Sequence, residues 1–122
     1  MTQPDQAGLL SIGTRVDDGR TVVRLVGELD VYSCARLRTT LTGLSAAGQH
    51  RLALELAALD FCDSSGLGVL VGAMKRARAG DGGLALVQVP DDLMRVLRIT
   101  GLTKVLPAFS QLIEAFVYLD AQ

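Results

Sequence analysis

The segment Leu59-Asp60-Phe61-Cys62-Asp63-Ser64-Ser65-Gly66-Leu67-Gly68 gathers the densest set of reactive side chains in the 122-residue chain. Carboxylates, a thiol and two adjacent hydroxyls stand side by side there, and several chemistries could use them. Helix capping is the simplest, because an Asp or Ser side-chain oxygen accepts from the free N–H groups of a first helical turn. Capping needs only one of Asp63, Ser64 and Ser65. It does not explain Gly66 and Gly68, each of which costs up to ~1 kcal/mol of helix propensity relative to alanine. Small residues at those positions imply either tight packing of a helix start on a strand or access for another protein.

Nucleotide binding would use Gly66, Gly68 and Gly72, but that spacing is one residue longer than the dinucleotide fingerprint. No Gly-Lys-Ser/Thr occurs either. A serine nucleophile needs a base within reach. His50 is the only histidine, falls at the opposite end of the preceding strand, and reads as a surface-loop residue. No G-x-S-x-G elbow exists. Cys34 and Cys62 are too few and too far apart for a zinc site or a disulfide framework. The chain is therefore expected to have no catalytic residues, no metal and no cofactor.

Twelve basic against thirteen acidic side chains give a net charge of −1. No charge block or basic stripe is present, which removes the support for phosphate-driven nucleic-acid binding. At 49% hydrophobic residues, the chain has ample material for a core, built from Leu, Val and Ala because Trp is absent. The first residues carry neither a basic n-region nor an apolar h-region, so no signal peptide is expected. The uncharged stretch Gly66 to Met74 is well short of the ~20 residues of a membrane span. A soluble, cytoplasmic protein without a membrane contact is expected.

The elements that must position the motif follow from periodicity. Residues 1–8 read as a flexible N-terminal tail, and 9–122 as a single domain. Leu9 to Val16 and Thr21 to Gly27 flank Asp17-Asp18-Gly19-Arg20, a hairpin signal. Cys34, Leu37, Leu41 and Leu44 recur at helical spacing, with Gly48 as a stop. Arg51 to Ala57 alternates as a strand. Ser64 or Ser65 opens a second helix carrying Leu67, Leu70, Val71 and Met74, which Gly80 to Gly83 ends. Leu84 to Val89 is a strand, and Pro90 to Thr100 a short helix stopped by Gly101. A brief strand around Lys104 to Leu106 precedes a last helix carrying Leu112, Ile113, Phe116 and Val117.

The order ββαβαβαβα predicts an α/β fold with a mixed, mostly parallel sheet. Polar Arg24, Glu55 and Gln88 inside strands argue for helices mainly on one face. A phosphoaspartate receiver domain has a similar length. However, its acidic pair follows the first strand, whereas Glu28 and Asp30 follow the second. Lys104 also precedes the last strand instead of following it.

Asp63-Ser64-Ser65-Gly66-Leu67-Gly68, after a hydrophobic strand and Leu59-x-Phe61, resembles the phosphorylation motif of bacterial anti-sigma factor antagonists. These are single STAS domains (sulfate transporter and anti-sigma factor antagonist). Gly27-Glu28-Leu29-Asp30-Val31-Tyr32-Ser33 and Ile99-Thr100-Gly101-Leu102 match two further segments of the family, so the resemblance spans roughly residues 20 to 117. It implies the STAS fold and a phosphoprotein that regulates transcription by partner switching. The phosphoacceptor would be Ser64, with Ser65 as a secondary candidate. The unphosphorylated form would bind an anti-sigma factor with GHKL-type serine kinase activity and release its sigma factor. Phosphorylation would turn it off, and a PP2C-type phosphatase would restore it. Glu28, Asp30, Asp60, Asp63, Ser65, Gly66 and Gly68 are the expected partner-binding residues. For the acids among them, capping and turn formation stand as the alternative. A competing function from another class is a small-molecule or lipid-binding STAS module regulating a transporter.

Overall fold

Asp18 and Gly19 adopt φ of 51° and 82°, the two left-handed residues that a tight hairpin turn with the right twist demands. They join β1 (Leu10–Asp17) to β2 (Arg20–Leu29). The computed structural model describes residues 9–122, so the tail expected over residues 1–8 lies outside the described residues. After the hairpin come α1 (Cys34–Ala46), β3 (Arg51–Cys62), α2 (Ser64–Ala79), β4 (Gly83–Val87), α3 (Asp91–Thr100), β5 (Ala108–Phe109) and α4 (Leu112–Asp120). The strands lie in the sheet order β1-β2-β3-β4-β5. Only the β1–β2 pair is antiparallel.

One face of the sheet carries Val23, Leu25, Leu52, Leu54, Leu56, Leu84 and Leu86 under α1, α2 and α3, which contribute Leu37, Leu41, Leu70 and Leu97. Among the described residues, the opposite face is covered by α4 alone. Its Ala115, Phe116 and Leu119 pack on Val22, Ala53, Ala85 and Val87, where the small side chains let the helix approach. Arg24 and Glu55 lie on this second face; Arg24 is exposed and Glu55 reaches Arg15 at 3.5 Å. The expected one-sided arrangement holds, with α4 as its exception. Among the described residues, no helix is long and apolar enough to cross a membrane.

Several local expectations need correction. The last strand is Ala108–Phe109, not Lys104 to Leu106. Leu102–Lys104 forms a 3₁₀ turn instead, and Leu106 is fully buried. Pro107, which cannot donate, offers its carbonyl to Leu86 N–H at 2.8 Å. Gln88 lies past the end of β4 with φ 55°, so it is not a strand residue. In α2 the buried stripe is Gly66, Val69, Leu70, Ala73, Met74 and Ala77, with Leu67 and Val71 at its margin. In α4, Ile113 and Val117 face solvent while Ala115 and Leu119 are buried. His50 is half-buried, since its ring packs where side chains on Gly80 would sit.

Candidate functional site

The parallel strands β2 and β3 extend well beyond β4. Pairing of β3 with β4 ends at Glu55↔Val87, whereas β2 and β3 stay paired to Leu29↔Cys62. The motif expected between strand and helix therefore begins inside β3, which includes Leu59 to Cys62. Register shifts interrupt the β2–β3 ladder between Arg24 and Val26 and between Gly27 and Glu28. Each inserts an extra residue on β3, as a bulge does. Core-facing positions of β3 accordingly run Leu52, Leu54, Leu56, Leu59 and Cys62. The bulges turn Phe61 outward, where it is 52% exposed.

Beyond the overhang, two loops are tied together by hydrogen bonds. Asp63 is the N-cap of α2, its Oδ1 accepting from Gly66 N–H at 3.0 Å. Its Oδ2 accepts from Val31 N–H at 3.2 Å, and its own N–H donates to Leu29 O at 3.2 Å. One side chain thus caps a helix and fixes the neighbouring loop. Asp30 Oδ1 accepts from the N–H groups of Tyr32 at 2.9 Å and Ser33 at 3.0 Å, an Asx turn. Ser33 is fully buried; its hydroxyl donates to Glu28 O at 2.8 Å and accepts from Asp30 N–H at 3.0 Å. The turn-forming alternative for Asp30 and the capping alternative for Asp63 thus both describe bonds that are present.

Ser64 is the first residue of α2 and is exposed, while Ser65 is half-buried. Among the described residues, no group hydrogen-bonds either hydroxyl. The two glycines that follow differ in kind. A Cβ on Gly66 would lie 2.7 Å from Leu29 Cγ and 2.9 Å from Cys62 Sγ, whereas one on Gly68 would meet nothing within 4 Å. Gly66 is a packing residue, and Gly68 lies open. The Cys62 thiol is pushed up to about 12 by burial and, secondarily, by the Asp63 charge. It stays protonated at neutral pH and is a poor nucleophile.

The structure brings Glu28, Asp30, Asp63, Ser64, Ser65 and Gly66 to one rim through the bonds and pairings above. Asp60 is placed apart from that cluster. With Asp91 and Asp92 at the start of α3, it lines a groove of about 380 Å³. Ser33 was not among the expected site residues, although the Asp-x-x-Ser spacing from Asp30 is a turn signal. The α3 side of the rim was not expected either, its signal in the sequence being the Pro90-Asp91-Asp92 helix start.

A five-stranded, mostly parallel sheet with its helices mainly on one face defines an α/β class of fold. The STAS domain family model matches residues 11–115, and the chain belongs to that family. Among curated relatives, an anti-sigma-B factor antagonist of Staphylococcus epidermidis is 36% identical over 93 residues, covering 76% of this chain and 86% of the relative. An anti-sigma factor antagonist from Mycobacterium paratuberculosis superposes with a TM-score of 0.83 at 24% identity, covering 98% of this chain and 99% of that one. The Bacillus cell fate determinant SpoIIAA in its phosphorylated form superposes with a TM-score of 0.70 at 24% identity, over 89% of this chain and 97% of that one.

Proposed function

We propose that this protein is a cytoplasmic anti-sigma factor antagonist that works by partner switching and has no catalysis of its own. Unphosphorylated, it binds an anti-sigma factor that is also a serine kinase, and so frees the sigma factor. Phosphorylation of Ser64 by that kinase switches it off, and a PP2C-type phosphatase restores it. The observation that carries this reading is the free, exposed Ser64 hydroxyl at the first position of α2, on the acidic rim. The likeness to an anti-sigma-B factor antagonist and to the phosphorylated form of SpoIIAA supports it.

The switch is chemically coherent at this position. A phosphate adds about −1.5 to −2 charge and three acceptor oxygens. The helix N-terminus accommodates an anion, so the fold tolerates it. The penalty falls on the complex, where a dianion beside Asp63 must be dehydrated and buried.

Incubation with the candidate anti-sigma factor, ATP and magnesium should add a single phosphate by intact mass, and Ser64→Ala should abolish it. Ser64→Asp should keep the thermal midpoint yet bind the partner at least ~10-fold more weakly, about 1.4 kcal/mol. Phosphate mapped to Ser65 would overturn the choice of acceptor. Absence of any complex would overturn the function.

A further inference from the structure

Among the described residues, the part of β3 past Glu55 has β2 on one side and no strand on the other. The groove of about 380 Å³ runs along that open edge, between β3 and the first turns of α3. Phe61, Leu93 and Val96 are part of its apolar lining, and Asp60, Asp91 and Asp92 carry its charge. Phe61 and Val96 are 52% and 40% exposed. Apolar side chains held half in water around a concavity mark a surface built for contact. The volume suits one or two side chains, and an open strand edge suits an extended backbone. Among the described residues, Asp92 alone of the three carboxylates reaches a cation, exposed Arg95 at 3.7 Å.

We propose that this groove receives an extended segment of the anti-sigma partner, with an apolar side chain between Phe61 and Val96 and a Lys or Arg beside Asp60 and Asp91. The inference rests on the partner-switching reading and adds to it a second contact, on the far side of β3 from the Asp30 turn. Charge complementarity selects the occupant. Three carboxylates repel an anionic ligand, and a second copy of this chain would bring its own acidic rim against them. A basic, partly apolar strand satisfies both the lining and the open edge.

Hydrogen–deuterium exchange of the full chain, alone and mixed with the anti-sigma factor, tests the groove directly. Residues 59–62 and 91–97 should exchange more slowly in the complex. Val96→Lys, on an exposed helical position, and Phe61→Ser should each weaken binding at least tenfold at an unchanged thermal midpoint. Protection confined to residues 28–33 and 63–68, with Val96→Lys binding as the wild type, overturns the groove and leaves the switch intact. Failure of the wild type to bind the anti-sigma factor overturns both. A concentration-dependent dimer of the chain alone that Val96→Lys abolishes assigns the groove to a second copy and also overturns the proposal.

Discussion

The two rims of the parallel sheet are built from the same kinds of residue and used in opposite ways. At the N-terminal rim, the charges of Arg20 and Arg51 are consumed within the chain. Arg20 donates from Nε to Asp120 Oδ1 at 3.0 Å and from Nη2 to Oδ2 at 2.8 Å, while lying 4.3 Å over the Phe116 ring. Arg51 donates to the carbonyls of Leu119 and Gln122, both at 3.1 Å, where a cation also suits the end of α4. At the C-terminal rim Asp30 and Asp63 accept from backbone N–H groups, Asp60 and Asp91 are exposed, and Asp92 reaches exposed Arg95 at 3.7 Å. Exposed Phe61, Val31, Tyr32, Val96 and Ile99 lie on the loops and elements that reach this rim. The first rim closes α4 onto the hairpin. The second is ordered but unclosed, which is what a surface for a partner requires.

That contrast predicts a large stability loss from crowding the N-terminal rim. A Cβ on Gly82 would lie 1.8 Å from the carbonyl oxygen of His50. That carbonyl already accepts from Gly83 N–H at 2.8 Å, and backbone cannot yield cheaply. Gly82→Ala should cost on the order of 3 kcal/mol, the upper range for overpacking, measured by urea unfolding. A loss under about 1 kcal/mol would break the comparison.

Asp63→Ala comes next, at about 1–2 kcal/mol for a lost N-cap. Asp63→Asn keeps an oxygen for Gly66 N–H but loses the second carboxylate oxygen that holds Val31 N–H. Stability should therefore recover most of the way. If partner affinity recovers in step with the melting temperature, Asp63 acts by capping. Affinity that stays low in a stable Asp63→Asn identifies a direct contact.

The Arg20–Asp120 pair should matter less, because the carboxylate is half exposed and exposed pairs contribute little. The hydrogen bonds from Arg20, together with its charge, hold the Asp120 carboxyl below its ordinary value of 3.8. A lowered folded-state pKa means stability that is present above 3.8 and lost as pH falls through the folded value. The wild-type melting midpoint should drop more steeply below that pH than that of Asp120→Asn. Parallel profiles would remove the pair from the clamp.

The order of elements was legible because hydrophobic periodicity and turn residues agree along the chain: Asp18-Gly19 at the hairpin, Gly48 after α1, Gly101 after α3. The site was legible in its residues but not in its geometry. Strict alternation stops at Ala57, so β3 reads as ending there. The two bulges instead lengthen the spacing from two residues to three, through Leu59 and Cys62, and carry the strand to the motif. The groove was hidden for the same reason, since it exists only because β3 outruns β4. The buried stripe of α2 was misjudged because small Gly66, Ala73 and Ala77 are buried, while larger Leu67 and Val71 sit at the margin. Close approach selects small side chains, and a hydrophobicity pattern does not see it.

Gly68 gives the smallest and sharpest test. It lies within α2, has ordinary helical surroundings, and a Cβ there meets nothing within 4 Å. Packing gives no reason for glycine, unlike Gly66 two positions earlier. Gly68→Ala should therefore stabilise the protein by up to about 1 kcal/mol through helix propensity, seen as a higher urea midpoint. If a partner's backbone must approach α2 beside Ser64, the same methyl group stands in its way, and affinity should fall while stability rises. Opposite signs from one methyl group cannot come from unfolding. Unchanged affinity in the stabilised variant would take Gly68 off the binding surface and confine contact to the loops and the β3 side of the rim.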